Sequence, residues 1–298
     1  MSIKPKKEGE KENMSKAITC IADEKQLAEL KNMGFSEVAL HIIDKDITPQ
    51  RMTQIMRQSG MKTVSLHAPF TDKKDVLIEN LSECSAIHLA AMAADLLSRG
   101  EEIFVVCHTE LGNTAAEHPE MLYKMIEDID HFLSYHPNIV LAIENTMVFN
   151  SETQSISQSA LPNYTEVIKA IKNRSKYPDR ICSVLDICHA QSTVFAIKQL
   201  FPGWKITLAD YFRASTGVCR LIHFANSYAF GYTKATHGTG FNADLHDEKL
   251  KLQTAMKLID RYLPDAKFVY EISESDYSNR VELNHTLKSM KKLGFEPF

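Results

Sequence analysis

Short apolar runs recur along this chain at intervals that a helix would fill. They lie at Ala17 to Ile21, Val38 to Ile43, Thr63 to His67, Ile103 to His108, Ile139 to Glu144, Ile181 to Asp186, Arg220 to Ala225 and Lys267 to Ile272. Each reads as a buried strand. Between them stand stretches of helical periodicity: Glu24 to Met33, Pro49 to Gln58, Leu81 to Ser98, Pro119 to Leu133, Tyr164 to Ile171, the region around Ala190 to Phe212, Asp247 to Tyr262 and Ser278 to Leu293. Gly34, Gly60, Gly100 and Gly294 follow helix ends, where a left-handed residue is often needed. Strand then helix, eight times, predicts an α/β chain folded as a single (β/α)8 barrel, whose functional site belongs at the C-terminal ends of the strands. A doubly wound open sheet fits less well, because no Gly-rich phosphate loop follows the first strand. Met1 to Ser15 is dense in Lys and Glu with nothing to bury, so residues 1–15 are expected to be a disordered extension and 16–298 the barrel.

The runs end on polar residues, and these carry the chemistry. The third ends at His67, the fourth at His108, the fifth at Glu144 and the sixth at Asp186; the seventh carries His223 and the eighth Glu271. Alternate residues of a barrel strand point inward, so the residues two positions earlier should fill the interior beneath. Those are Ser65, Val106, Ala142, Val184, Leu221 and Val269, small or apolar in every case. One histidine beside a strand is ordinary packing, whereas six ligand-type residues at one end of six neighbouring strands require a common cause. Three carboxylates converging at a barrel mouth would repel one another and shift one another's pKa; a divalent cation between them resolves the conflict. After the sixth run, Asp186 and His189 form an Asp-x-x-His pair whose oxygen and nitrogen can face one cation.

Several segments resemble the xylose-isomerase-like barrel superfamily, which includes the endonuclease IV class (AP endonuclease family 2) and many sugar isomerases and epimerases. They are HAPF at His67 to Phe70, AIENT at Ala142 to Thr146, LDICHA at Leu185 to Ala190, HFANS at His223 to Ser227, and Glu271. The resemblance runs from about Lys16 to the end of the chain. It implies a four-ligand metal centre of Glu144, Asp186, His223 and Glu271. His67 and His108, with a bridging Glu144, match the second metal site of the nuclease branch. His189 matches a third-metal ligand there and a substrate-contacting histidine in the epimerases. The nuclease pattern also carries an Asp-x-His pair upstream of a Gly-x-Gly, where this chain has Ala235-Thr236-His237 before Gly238-Thr239-Gly240. His237 is therefore a further candidate ligand without its carboxylate partner. Likewise Met147 to Asn150 stand where the nuclease has a Gly-Gln-Gly turn, and Thr71 to Lys74 where it has an Asn-Leu element.

The favoured expectation is a divalent-metal-dependent isomerase or epimerase of a sugar or sugar phosphate, working through an enediolate stabilised by one to three ions of Mn, Mg, Co or Zn. Glu144 and Glu271 would move the carbon-bound proton and His189 would steady the oxyanion. Lys73 and Lys74 could receive a phosphate, although a solvated surface pair is the simpler account. The alternative is an endonuclease IV-like enzyme cutting DNA beside an abasic sugar, with Phe70 as a candidate wedge; a multinuclear iron oxygenase of the same superfamily is a third class. Composition weighs on this choice. The chain has 298 residues and a net charge of -4, which supplies no field for nucleic acid, and Arg and Lys do not cluster in the strand-to-helix loops. Its six cysteines form no C-x-x-C pair, no run is long enough to span a membrane, and no signal-peptide core stands at the start, which together suggest a cytoplasmic protein. Trp204 and Phe201 flank Gly203 in an expected loop, with packing on the barrel their expected role. His41 ends strand two at the rim, Glu110 lies two positions past His108, and Asn145 and Asn226 directly follow ligands or lie near them, where they could orient them.

Overall fold

A computed structural model describes residues 16–42, 47–68, 78–82, 84–109, 118–146, 149–150, 155–156, 158–229 and 235–297. Eight strands close a parallel barrel: β1 (Lys16–Cys20), β2 (Glu37–His41), β3 (Lys62–His67), β4 (Ile103–His108), β5 (Ile139–Glu144), β6 (Ile181–Asp186), β7 (Cys219–Phe224) and β8 (Lys267–Tyr270). Their order around the barrel is the order of the sequence, and β8 closes on β1 through Lys16 paired with Phe268 and Ile18 with Tyr270. Each expected strand is present, and the fold is a TIM barrel. The expected 1–15 extension lies outside the described residues, as do Lys73, Lys74, Phe70 and Glu110.

Around the barrel lie α1 (Glu24–Asn32), α2 (Pro49–Ser59), α3 (Ser85–Ser98), α4 (Pro119–Tyr135), α5 (Tyr164–Lys172), α6 (Ile187–Leu200), α7 (Leu208–Ser215), α8 (His246–Tyr262) and α9 (Val281–Lys292). Local chemistry sets their ends. Asp23 caps α1 by accepting from the Gln26 N–H at 2.9 Å, and Thr48 caps α2 just before Pro49. Gly34, Gly60, Gly100 and Gly294 all take positive φ, between 69° and 100°, as expected of helix ends. The helical region around Ala190 to Phe212 is two helices, because Pro202 and Gly203 interrupt it between α6 and α7. Trp204 in that break is 49% exposed and stacks on Phe201 with ring centroids 5.4 Å apart, so it does not pack down on the barrel as expected.

Two apolar layers result. Alternate strand residues, among them Val106, Ala142, Val184, Leu221 and Val269, form a cluster inside the barrel, and a larger one fills the space between strands and helices. The predicted inward register therefore holds along β4 to β8. On β3, Ser65 pairs with Ala39 and Phe104, both in the inner cluster, but the pairing with β2 shifts between Val38 and Ala39. The extra residue this inserts lets Val64 also join the interior.

Two short antiparallel ribbons interrupt the barrel at its C-terminal side, Phe149–Asn150 with Ser155–Ile156 and Asn226–Ala229 with Ala235–Thr239. The chain leaving the second ribbon is fastened to α9 by side chains one or two turns apart. Glu282 accepts from the Gly240 N–H at 3.0 Å, Thr286 from Phe241 at 2.8 Å and Ser289 from Ala243 at 2.8 Å. This close approach requires glycine at 240, since a Cβ there would fall on the Glu282 carbonyl. Gly240→Ala should cost about 1–3 kcal/mol, read as a lowered urea midpoint with unchanged slope; an unshifted midpoint would mean that α9 does not clamp this segment.

Candidate metal centre

The site is built at the strand ends by the barrel's register. His67, His108, Glu144 and Asp186 are the last residues of β3, β4, β5 and β6; His223 is the penultimate residue of β7. Glu271 lies one past β8 but stays in the ladder, its N–H donating to the Phe224 carbonyl at 3.2 Å. Pairing sets His108 beside Glu144 and Asp186 beside His223. All six predicted strand-end residues converge and all are buried, with at most 9% of their surface exposed.

Glu144 is the centre of the arrangement, and its two oxygens face different neighbours. Oε2 lies 3.2 Å from Nε2 of His67 and 3.3 Å from Nε2 of His108. Oε1 lies 2.8 Å from Nδ1 of His223, and the same nitrogen is 2.7 Å from Oε2 of Glu271. One donor atom each from His67, His108 and Glu144 falls within a 4.8 Å set, and so does one each from Glu144, Asp186, His223 and Glu271. Two candidate ligand sets therefore share one carboxylate.

Neighbouring groups fix the orientation of the others. Asp186 is also the N-cap of α6, its Oδ1 accepting from the His189 N–H at 2.7 Å. Asn145 grips the Asp186 backbone from both sides, accepting from its N–H at 2.7 Å and donating to its carbonyl at 3.1 Å. The Asn145 carbonyl accepts from Nδ1 of His189 at 2.7 Å, which leaves Nε2 of the neutral ring with a lone pair, able to accept a hydrogen bond or bind a cation. Nδ1 of His67 likewise donates to the Ala68 carbonyl at 3.2 Å, so Nε2 faces Glu144. Asn145 thus has the orienting role expected of it. Asn226 does not, since it ties the second ribbon instead, donating to the Gly240 carbonyl at 3.3 Å. His41 reaches the centre from β2 with Nε2 3.1 Å from Oε1 of Glu271, and its ring is 4.9 Å from that of His67. The sequence placed it at the rim. The side chain of His237 lies outside the described residues; beside it, the Gly238 N–H donates to Sγ of Cys188 at 3.2 Å, setting that strand of the ribbon against α6.

Electrostatically the cluster is crowded. Burial penalises the charge on Glu144, yet His223, with hydrogen bonds from His108 and His67, holds its carboxyl well below the usual range. Glu271 is similarly low, burial being outweighed by His223 and His41. Burial pushes Asp186 up to about 7, with Glu271 and Glu144 adding repulsion against the pull of His189. His223 is held well above its ordinary value, since Glu271 and Glu144 outweigh its burial. A proton or a cation must therefore sit among these groups. The donor set suits a divalent ion, being imidazole nitrogens and carboxylate oxygens only. Its spacings suit one too, because metal–ligand bonds of about 2.0 Å put tetrahedral donors about 3.3 Å apart.

No protein-family profile matches the sequence, and no curated protein matches it. Solved structures do. A xylose isomerase domain protein from Planctomyces limnophilus aligns with a TM-score of 0.62 at 10% identity over 95% of this chain and 98% of its own. An AP endonuclease of family 2 from Brucella melitensis gives 0.59 at 12% identity over 93% and 98%, and a 3-keto-D-glucoside 4-epimerase from E. coli 0.54 at 10% identity over 95% and 99%. At such identities the likeness is one of fold alone, the (β/α)8 barrel that this chain shares with those proteins.

Proposed function

We propose that this protein is a divalent-metal-dependent isomerase or epimerase acting on a sugar or sugar phosphate. The observation that carries the reading is the pair of carboxylates flanking one imidazole nitrogen, Glu144 at 2.8 Å and Glu271 at 2.7 Å from Nδ1 of His223, with Asp186 in the same set. Glu144, Asp186, His223 and Glu271 would hold the ion, which when bound supplies Lewis-acid stabilisation of negative charge developing on substrate oxygens. Glu271 and Glu144, on either side of His223, suit taking a proton from carbon on one face and returning it on the other. His189, whose Nδ1 donates to the Asn145 carbonyl, would present Nε2 to accept from a substrate hydroxyl. Asn145 and the α6 cap keep Asp186 in place. Burial of the whole set excludes bulk water and strengthens each of these interactions.

A second reading rests on His67 and His108, which single-ion chemistry does not require. With Glu144 they form a second ligand set, which supports a two-metal phosphodiesterase of the endonuclease IV kind. The net charge of -4, and Ala235 where a third-site carboxylate is expected, weigh against it. No helix among the described residues is long and apolar enough to cross a membrane, so the reading does not involve a membrane-spanning helix.

Glu144→Gln and Asp186→Asn should each lower metal affinity at least about tenfold, read by isothermal titration with Mn or Zn; unchanged affinity in both would remove the assigned centre. Elemental analysis of protein purified without chelator should show about one divalent ion per chain, retained in the His67→Ala, His108→Ala double variant; a second equivalent that disappears in that variant would favour the two-metal reading. If two equivalents are found and both survive in the variant, His67 and His108 are not ligands. The reaction class is read by NMR, which should show solvent deuterium entering the carbon next to the carbonyl of ketoses or their phosphates. Absent exchange across such a panel, combined with nicking of an abasic duplex, would transfer the assignment to the second reading.

A further inference from the structure

Strands β1 and β2 bring no residue to either candidate ligand set, and they differ in what they put at the mouth. On β1, Ala17 faces the interior while Ile18 and Cys20 pack outward among the helices, so Thr19 also faces inward. On β2, Ala39 faces the interior and His41 follows it two residues on. Because β1 stands between β2 and β8, a β2 side chain can meet Glu271 only by passing over β1. Thr19 is small enough to leave that path open. His41 takes it, bringing Nε2 to 3.1 Å from Oε1 of Glu271.

The two oxygens of Glu271 are thereby given different tasks. Oε1 has His41 within hydrogen-bond reach, and the hydroxyl of Thr19, buried without a hydrogen bond, does not share in holding it. Nδ1 of His223 is hydrogen-bonded to Oε1 of Glu144 at 2.8 Å, and Oε2 of Glu271, 2.7 Å from the same nitrogen, is buried without a hydrogen bond of its own. A buried carboxylate oxygen in that state is costly unless a cation meets it. His41 is itself fixed on two sides. Its backbone pairs with His67, the ladder continues past it as the Ile42 N–H donates to the His67 carbonyl at 3.3 Å, and its ring lies 4.9 Å from that of His67. Its side chain stays 25% exposed, more open than that of His67, His108, His189 or His223, so burial is not what keeps it in place.

We propose that His41 is a positioning residue for Glu271: its imidazole holds Oε1, so that Oε2 stays turned to an ion shared with Glu144, Asp186 and His223. This rests on the reading of Glu271 as a ligand of that ion. It gives β2, which supplies no ligand, a part in the centre, and it sets the carboxylate in the orientation from which it would exchange a proton with carbon.

Competition with a chelating dye for the first equivalent of Zn tests this on the full chain. His41→Phe, which removes the donor and keeps a ring, should weaken that equivalent at least about tenfold, whereas His41→Gln, whose amide N–H falls near the Nε2 position, should stay within about threefold of the wild type. In a Glu271→Ala background the same His41→Phe change should alter the affinity less than about twofold, because its partner is gone. The visible spectrum of the Co-loaded protein, which reports ligand geometry, should change in His41→Phe and return in His41→Gln. His41→Asn, whose amide stops short of Glu271, replaces the Phe variant if that one does not fold. The proposal is overturned if the folded Phe or Asn variant binds Zn like the wild type, if His41→Gln is as weak as His41→Phe, or if the loss persists in the Glu271→Ala background. Wild-type protein that takes up no Zn would instead remove the metal centre itself, and this inference with it.

Discussion

Three carboxylates forced together in a dry barrel mouth are the constraint around which this site is built. Two unit charges 4 Å apart repel by about 4 kcal/mol even at an effective dielectric of 20. Glu144, Asp186 and Glu271 each contribute an oxygen to one 4.8 Å set. The protein answers with imidazoles, His223 between Glu144 and Glu271, His67 and His108 on the far oxygen of Glu144, and His41 on the far oxygen of Glu271. Asp186 has the least such help, and its carboxyl rises to about 7 through burial and the repulsion of its neighbours. The cluster is thus balanced for a cation more than for itself. Breaking it by removing one partner would leave the rest buried and uncompensated.

The barrel can deliver this arrangement because the strand ends are rigid and because several backbone groups serve two purposes. Asp186 closes β6, caps α6 and stands among the candidate ligands, so the position of a helix and that of a candidate ligand are set by the same side chain. Asn145, one residue beyond Glu144, holds the Asp186 backbone with two hydrogen bonds and the His189 ring with a third. A displacement at either strand end is therefore carried to the other. Rigidity of this kind is what a proton-transfer or two-ion site needs, where errors of a fraction of an ångström are felt.

Much of this was legible in the sequence, for physical reasons. Strand periodicity and the inward layer of Val106, Ala142, Val184, Leu221 and Val269 fixed which end of each run would face the mouth, and the six ligand-type residues then had to meet. What could not be read depended on offsets between strands. The division of Glu144 between two ligand sets follows from the stagger that pairs His108 with Glu144 and Asp186 with His223, and no spacing within a run encodes that stagger. The extra residue in β3 that lets Val64 into the interior is equally silent. The break between α6 and α7 did have a signal in Pro202 and Gly203, whereas the exposure of Trp204 had none, since a single aromatic in a loop packs inward as readily as it stacks on a neighbour.

Sharing one carboxylate between two ligand sets has a consequence for how the site would choose its chemistry. An ion among His67, His108 and Glu144 would draw electron density from Oε2 and weaken Glu144 as a base toward carbon. With that set empty, the two histidines can instead donate hydrogen bonds that keep Glu144 ionised and in place. On the proposed reading, one scaffold of residues would thus support proton transfer at carbon through Glu271 alone in the first case, and through the Glu144 and Glu271 pair in the second. Occupancy of the outer set would then decide, on the proposed reading, whether one carboxylate or two is available as a base, without any change in the residues that line it.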